Sequence, residues 1–146
     1  MKVFKLKNNN ELHTGHDIFN MTIEERKKFN CIIINNPVQS NCLCVVNHLV
    51  CKSVENKNIA HLFIANDDKQ SNDIRTFGSL NVGCEYDGEE TCGNLEIDTV
   101  SIGKNQEVDM LEEHFLIILP GGNIYIRLEE PEEKISLQIS LGQEAI

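Results

Sequence analysis

A chain of 146 residues with 40% hydrophobic content and no tryptophan fits one domain with an aliphatic core, and none of its apolar stretches is long enough to span a membrane. Its net charge of −10 is lopsided: residues 1–75 carry 10 Lys and Arg against 8 Asp and Glu (net +2), whereas residues 76–146 carry 3 against 15 (net −12). The acidic half repels phosphate backbones, which argues against direct nucleic-acid binding through it and suits either plain solvation or a basic partner such as a histone.

In chain order, Met1 to Lys7 is charged and lacks the apolar segment of a secretory leader. Residues 1–20 read as a loose polar arm with one short strand near Val3–Leu6. Thr22-Ile23-Glu24-Glu25 has the form of a capping box, extended by Arg26-Lys27-Lys28, and predicts one short helix of about two turns. From Cys31 the pattern turns to strands: Cys31–Ile34, Leu43–Val54, His61–Ala65, Arg75–Gly83, the alternating Leu95–Ile102 and the weak Val108–Met110. Glu85–Glu90 reads as an acidic turn. The run His114–Leu119 is a strand that ends at Pro120-Gly121-Gly122-Asn123, where proline fixes φ and the glycines permit positive φ. A strand leaves at Ile124–Arg127, and Ile135–Leu141 follows after a bend containing Pro131. Eight or nine short strands over residues 1–146 predict a single all-β domain, either a barrel or a sandwich.

The cysteines are Cys31, Cys42, Cys44, Cys51, Cys84 and Cys92. None forms Cys-x-x-Cys, so reduced thiols in the cytosol or nucleus fit better than a zinc site or a disulfide framework. His13 and His16 fall in the polar arm, and His48, His61 and His114 are scattered without a His-x-His pair. Cys44 and His48 stand four apart, which in a strand separates them by roughly 13 Å, too far for a nucleophile and its base. The carboxylate pairs Glu112-Glu113, Glu129-Glu130 and Glu132-Glu133 read as solvated strand ends. No catalytic residue, metal ligand or cofactor is assigned.

The spacing Pro120-x-Gly122-x-x-Tyr125 resembles the second motif of a cupin barrel, P-x-G-x-x-H, with tyrosine where the metal-binding histidine stands. Phe115, Pro120, Gly122, Asn123 and Tyr125, followed by Ile135–Leu141, are similar to the last strands of the cupin domain that ends centromere protein C. Thr76-Phe77-Gly78-Ser79-Leu80-Asn81-Val82-Gly83 is similar to an upstream strand of that family. The resemblance covers roughly half the chain and departs from the family in the longer apolar run before Pro120 and in the acidic loop after Gly83.

The resemblance implies a jelly-roll barrel, here with one short N-terminal helix, that forms a homodimer at the centromere of nuclear chromosomes. Its partners would be a second copy and kinetochore or chromatin proteins, with Phe77, Leu80, Ile117, Leu119 and Ile126 as the candidate association face, although the alternating apolar stripe Phe115, Ile117, Leu119 with Ile124 and Ile126 is more often core than partner surface. Three alternatives stay open. Leu95 to Glu113, with Thr99-Val100-Ser101-Ile102-Gly103, loosely resembles the acidic histone-binding nucleoplasmin core. The others are a small-molecule or metal cupin with displaced ligands and a viral or phage jelly-roll component.

Overall fold

A computed structural model of the chain describes residues 1–7, 17–53, 55–65, 75–85 and 95–146. The strands, all paired antiparallel, are β1 (Val3–Lys7), β2 (Asp17–Asn35), β3 (Cys42–Ser53), β4 (Asn58–Ala65), β5 (Arg75–Phe77), β6 (Leu80–Glu85), β7 (Leu95–Ile102), β8 (Glu107–Asp109), β9 (His114–Ile118) and β10 (Asn123–Ala145). The expected all-β class is borne out.

Two long strands, β2 and β10, organise the rest. They pair with each other from Asn123↔Asn35 to Leu141↔Asp17. The other edge of β10 changes partner along its length: Asn123–Leu128 lies beside β4, and Ile135–Ala145 lies beside β3. One half of the sheet therefore runs β7-β4-β10-β2-β6-β5. The other runs β1-β9-β3-β10-β2, with β8 on β3. Ile124, Ile126 and Leu128 from the first half share one buried cluster with Ile135, Leu137 and Ile139 from the second, so the two inner faces enclose a common core.

The inward residues of β10 are even-numbered before Pro131 and odd-numbered after it. A strand has a side-chain period of two, so this exchange needs an offset in register. The β2–β10 ladder supplies it, with irregularities between Arg127 and Glu132 and between Glu132 and Lys134. Proline donates no ladder hydrogen bond and is tolerated at such an interruption. Pro131 thus bends one strand where the sequence reading expects two.

Other sequence expectations are corrected. The predicted helix over Thr22–Lys28 is part of β2. Phe19, Met21 and Ile23 point toward the core, whereas Asn20, Thr22 and Glu24 are exposed, a period of two that pairing with Ser136 and Ile135 enforces. The helix present among the described residues is a single 3-10 turn, Val38–Ser40. The sheet path runs from β1 to β5 without rejoining, so the sheet is not a closed barrel. The arm over residues 1–20 contributes β1 and the start of β2. His13, His16, Cys92 and most of the acidic turn after Glu85 lie outside the described residues.

The Pro120–Asn123 turn forms as the sequence predicts. Gly121 adopts φ +87, which a side chain would strain. A Cβ on Gly122 would lie 2.8 Å from the backbone oxygen of Lys2, 3.0 Å from Val3 Cγ2 and 3.1 Å from Ile118 Cγ2. Backbone cannot move aside as a flexible side chain does. Gly122→Ala is therefore expected to cost about 1–3 kcal/mol of stability, read by urea unfolding, and to raise amide exchange in β1 first.

Candidate functional site

Of the five motif residues, Pro120, Gly122 and Asn123 build a structural corner, while Phe115 lies on β9 before it and Tyr125 on β10 after it. Asn36 clips it: its amide nitrogen donates to the carbonyls of Ile118 and Cys42 at 2.9 Å each, and its backbone N–H donates to Gly122 O at 3.0 Å. Gly121 N–H donates back to Asn36 O, and Leu119 N–H donates to Lys2 O at 2.8 Å. Asn35 Nδ2 donates to Asn123 Oδ1 in the buried interior. Phe115 is buried and Pro120 half-buried. Sequence reasoning missed Asn35 and Asn36, which lie just past the expected strand Cys31–Ile34.

Tyr125 is 1% exposed and packs with Cys31, Ile33, Ala65 and Phe63 in a small cluster separate from the main core. Its neighbours Ile124 and Ile126 face the core instead. The residue at the motif's ligand position therefore points away from the main core. Among the described residues no group of three His, Cys, Asp or Glu is placed to hold a metal ion, and no helix is long and apolar enough to cross a membrane.

The expected association face divides. Phe77, Leu80 and Ile126 are 3%, 0% and 0% exposed and belong to the core, so they are unavailable as a surface. Ile117 and Leu119 are half-buried. Ile117 pairs with Phe4 on one side and Val45 on the other, and these three share the outward face with Leu6. Phe4 and Leu6 are exposed. At one margin Lys2 precedes β1 and lays its Nζ against the Gly121 turn, and at the other Glu144 faces Leu43 across β10–β3.

Among the described cysteines, Cys31, Cys44, Cys51 and Cys84 are buried and Cys42 is half-buried. Burial pushes the Cys44 thiol above its ordinary value, against a hydrogen bond with Ser79 that lowers it. Burial, with Glu132 nearby, pushes Cys51 up to about 12. These two thiols are held protonated and are poor nucleophiles.

His48 lies on the outer face with Nδ1 2.7 Å from Asp109 Oδ2. Asp109 Oδ1 also accepts the backbone N–H groups of Leu49 and Leu111 at 3.2 and 3.0 Å. Ser140 stands opposite His48 across β3–β10, which gathers the residue types of a nucleophilic triad. Ser140 makes no hydrogen bond to the ring among the described residues, and Asp109 is occupied in holding the corner after β8. Cys44 points into the core, so it does not meet His48.

A further polar cluster is one the sequence reading leaves unassigned. His61 on β4 contacts Glu96 of β7 through Nδ1 at 2.5 Å and Glu129 of β10 through Nε2 at 2.7 Å. Thr99 Oγ1 donates to Glu96 Oε1 at 2.6 Å. Arg127 lies over the Phe63 ring, 5.9 Å from its centroid, and that ring is 6.4 Å from His61. Beside this cluster a groove of about 520 Å³ is lined by Lys57, Ile59, Ser101, Gly103, Glu129 and Glu130, among others.

Comparison with protein-family models, with curated proteins and with solved structures finds no match to this chain.

Proposed function

We propose that this protein is a non-enzymatic assembly module that pairs with a second copy of itself through the outer face of β1, β9 and β3. The carrying observation is the outward apolar row of Phe4, Ile117 and Val45 with Leu6 beside it. Exposed apolar side chains gathered on one sheet face gain by leaving water together. Charge supports a second copy as the occupant. A two-fold axis near Ile117 would carry the β1 margin, with Lys2, over the β10 margin of the partner, with Glu144. A surface that is basic on one side and acidic on the other is self-complementary under that operation. Among the described residues β1 pairs with β9 alone, and strand addition at its other edge is a poorer route, because Lys5 and Lys7 discourage it.

The resemblance to the centromere cupin adds kinetochore or chromatin proteins in the nucleus as the setting in which such pairing would serve, by raising avidity. The closed barrel of that family forms no part of the proposal. A second reading, an acidic histone-binding surface, draws on Glu129 and Glu130 beside the groove of about 520 Å³.

Solution mass separates these readings. Sedimentation at micromolar concentration is expected to give twice the 16.5 kDa chain mass. Ile117→Asp is expected to weaken pairing more than tenfold, about 1.4 kcal/mol or more, with no loss of fold by circular dichroism. A strict monomer overturns the proposal. A pentamer, or a salt-sensitive rise in mass only when histones are added, transfers it to the second reading.

A further inference from the structure

With both glutamates ionised, only the imidazolium form of His61 satisfies the geometry of its cluster. A neutral imidazole has one N–H and one lone pair, whereas an imidazolium donates from both nitrogens. Both nitrogens of His61 face carboxylate oxygens, at 2.5 and 2.7 Å. In the neutral ring one of those oxygens would meet a lone pair. The bonded carboxylates belong to different strands, so the ring ties β7 to β10 across β4.

This tie falls where β7 needs it. Among the described residues β7 pairs with β4 alone, and that ladder breaks register between Leu62 and Phe63, next to His61. Thr99, which follows the break on β7, hydrogen bonds to Glu96 and lies 3.2 Å from His61 Nδ1. A sheet-edge strand held by one interrupted ladder is the first to open locally.

We propose that His61 is a proton-operated clasp: as the imidazolium it pins the edge strand β7 to β10, and on losing a proton it releases one carboxylate and loosens β7.

The groups that face the ring set the direction. Phe63 shares its strand, Glu96 and Thr99 approach from β7, and Glu129 and Arg127 stand on β10. Partial burial of the ring opposes its charge, but the hydrogen bonds to Glu96 and Glu129 and their negative charges outweigh that, and the His61 pKa lies above its ordinary value. Glu96 is held below the usual carboxylate range, first by Thr99 and then by His61. A raised histidine pKa contributes stability that is complete below the unfolded value of about 6.5 and is lost as pH rises through the folded value. A lowered carboxylate pKa contributes stability that is lost as pH falls through its folded value. The clasp therefore stays closed on the alkaline side until pH passes the raised His61 value, and on the acid side its Glu96 bond survives down to the lowered Glu96 value. Its opening on the alkaline side makes this face one charge more negative beside the Glu129–Glu130 groove.

The test follows the imidazole nitrogens of His61 by NMR across pH, alongside amide exchange of β7 corrected for the intrinsic rate. The imidazolium signature should persist past the ordinary histidine midpoint. Protection of β7 should fall severalfold through that transition while β2 and β10 keep theirs. H61Q should abolish the pH step in β7, and E129Q, which leaves the ring in place, should move the midpoint downward. A neutral ring at or below the ordinary midpoint overturns the clasp. So does a β7 whose protection ignores the His61 transition, or keeps its step in H61Q.

Discussion

Ile126→Ala is expected to lower the free energy of unfolding by about 2–5 kcal/mol, the range for deleting a buried branched side chain whose cavity refills incompletely. Ile126 is 0% exposed and stands between Ile32 on β2 and Leu62 on β4, both also 0% exposed. A domain of this class is held by roughly 5–15 kcal/mol, so one such loss takes a large share. Urea unfolding should show a lower midpoint with an unchanged slope, the mark of lost stability without a changed unfolded state. Ile117→Ala, half-buried on the outer face of β9, is expected to cost less, about 1 kcal/mol or below. The pair distinguishes a core residue from a face residue, although both belong to the same apolar stripe in the sequence. Equal losses, or a loss below about 0.5 kcal/mol at Ile126, would contradict the enclosed core.

That stripe shows how far the sequence could be read. Apolar alternation over Ile124–Arg127 and Ile135–Leu141 marks strands, but two faces of one strand can both be apolar. Here Ile124 and Ile126 face the main core while Tyr125 packs on the other side with Cys31 and Ile33. Nothing local separates those sets. The Thr22–Lys28 segment is the converse case. Its capping-box letters are a helix-start signal, yet Phe19, Met21 and Ile23 already alternate two by two. Long-range pairing with β10 decides between them, since propensity is weak beside a ladder of this length. Pro131 marks the bend in β10 legibly. The continuation of the strand through that bend depends on β2 following the same course, and no single segment records that.

The candidate sites were less legible than the fold because their members are distant in sequence. His61 meets Glu96 and Glu129 at separations of 35 and 68 residues. Each looks like an ordinary surface residue where it stands. The Pro-x-Gly-x-x-Tyr corner is visible because a turn is local, whereas Asn36, which locks that corner, lies more than eighty residues away. The same limit applies to Glu132-Glu133, which reads as a solvated pair. Glu133 is exposed, but Glu132 is 0% exposed.

Replacing Glu132 with methionine is expected to stabilise the protein by about 1–3 kcal/mol, the cost of a buried polar atom left without a hydrogen-bond partner. Glu132 sits at the register offset of β10. Its Oε1 accepts hydrogen bonds from Ser53 Oγ and, at 3.2 Å, from Asn58 Nδ2, while its Oε2 is buried without a partner. A buried oxygen that gives up water and gains nothing carries its full desolvation cost. The partners are insured against the change: Ser53 Oγ can donate to Asn56 O at 2.7 Å, and Asn58 Nδ2 keeps its bond to Glu130 O at 2.8 Å. Asn58 Oδ1 also still accepts from Glu130 N–H at 3.0 Å, so the bend stays closed. Thermal unfolding should show a higher midpoint for Glu132→Met, and Glu132→Ala should fall below it by the cost of the cavity. If Glu132→Met is instead less stable than the parent, the carboxyl group is holding the bend through bonds that Ser53 and Asn58 cannot replace. The offset that turns β10 from one half of the sheet to the other would then rest on a polar contact rather than on Pro131 and the apolar residues either side of it.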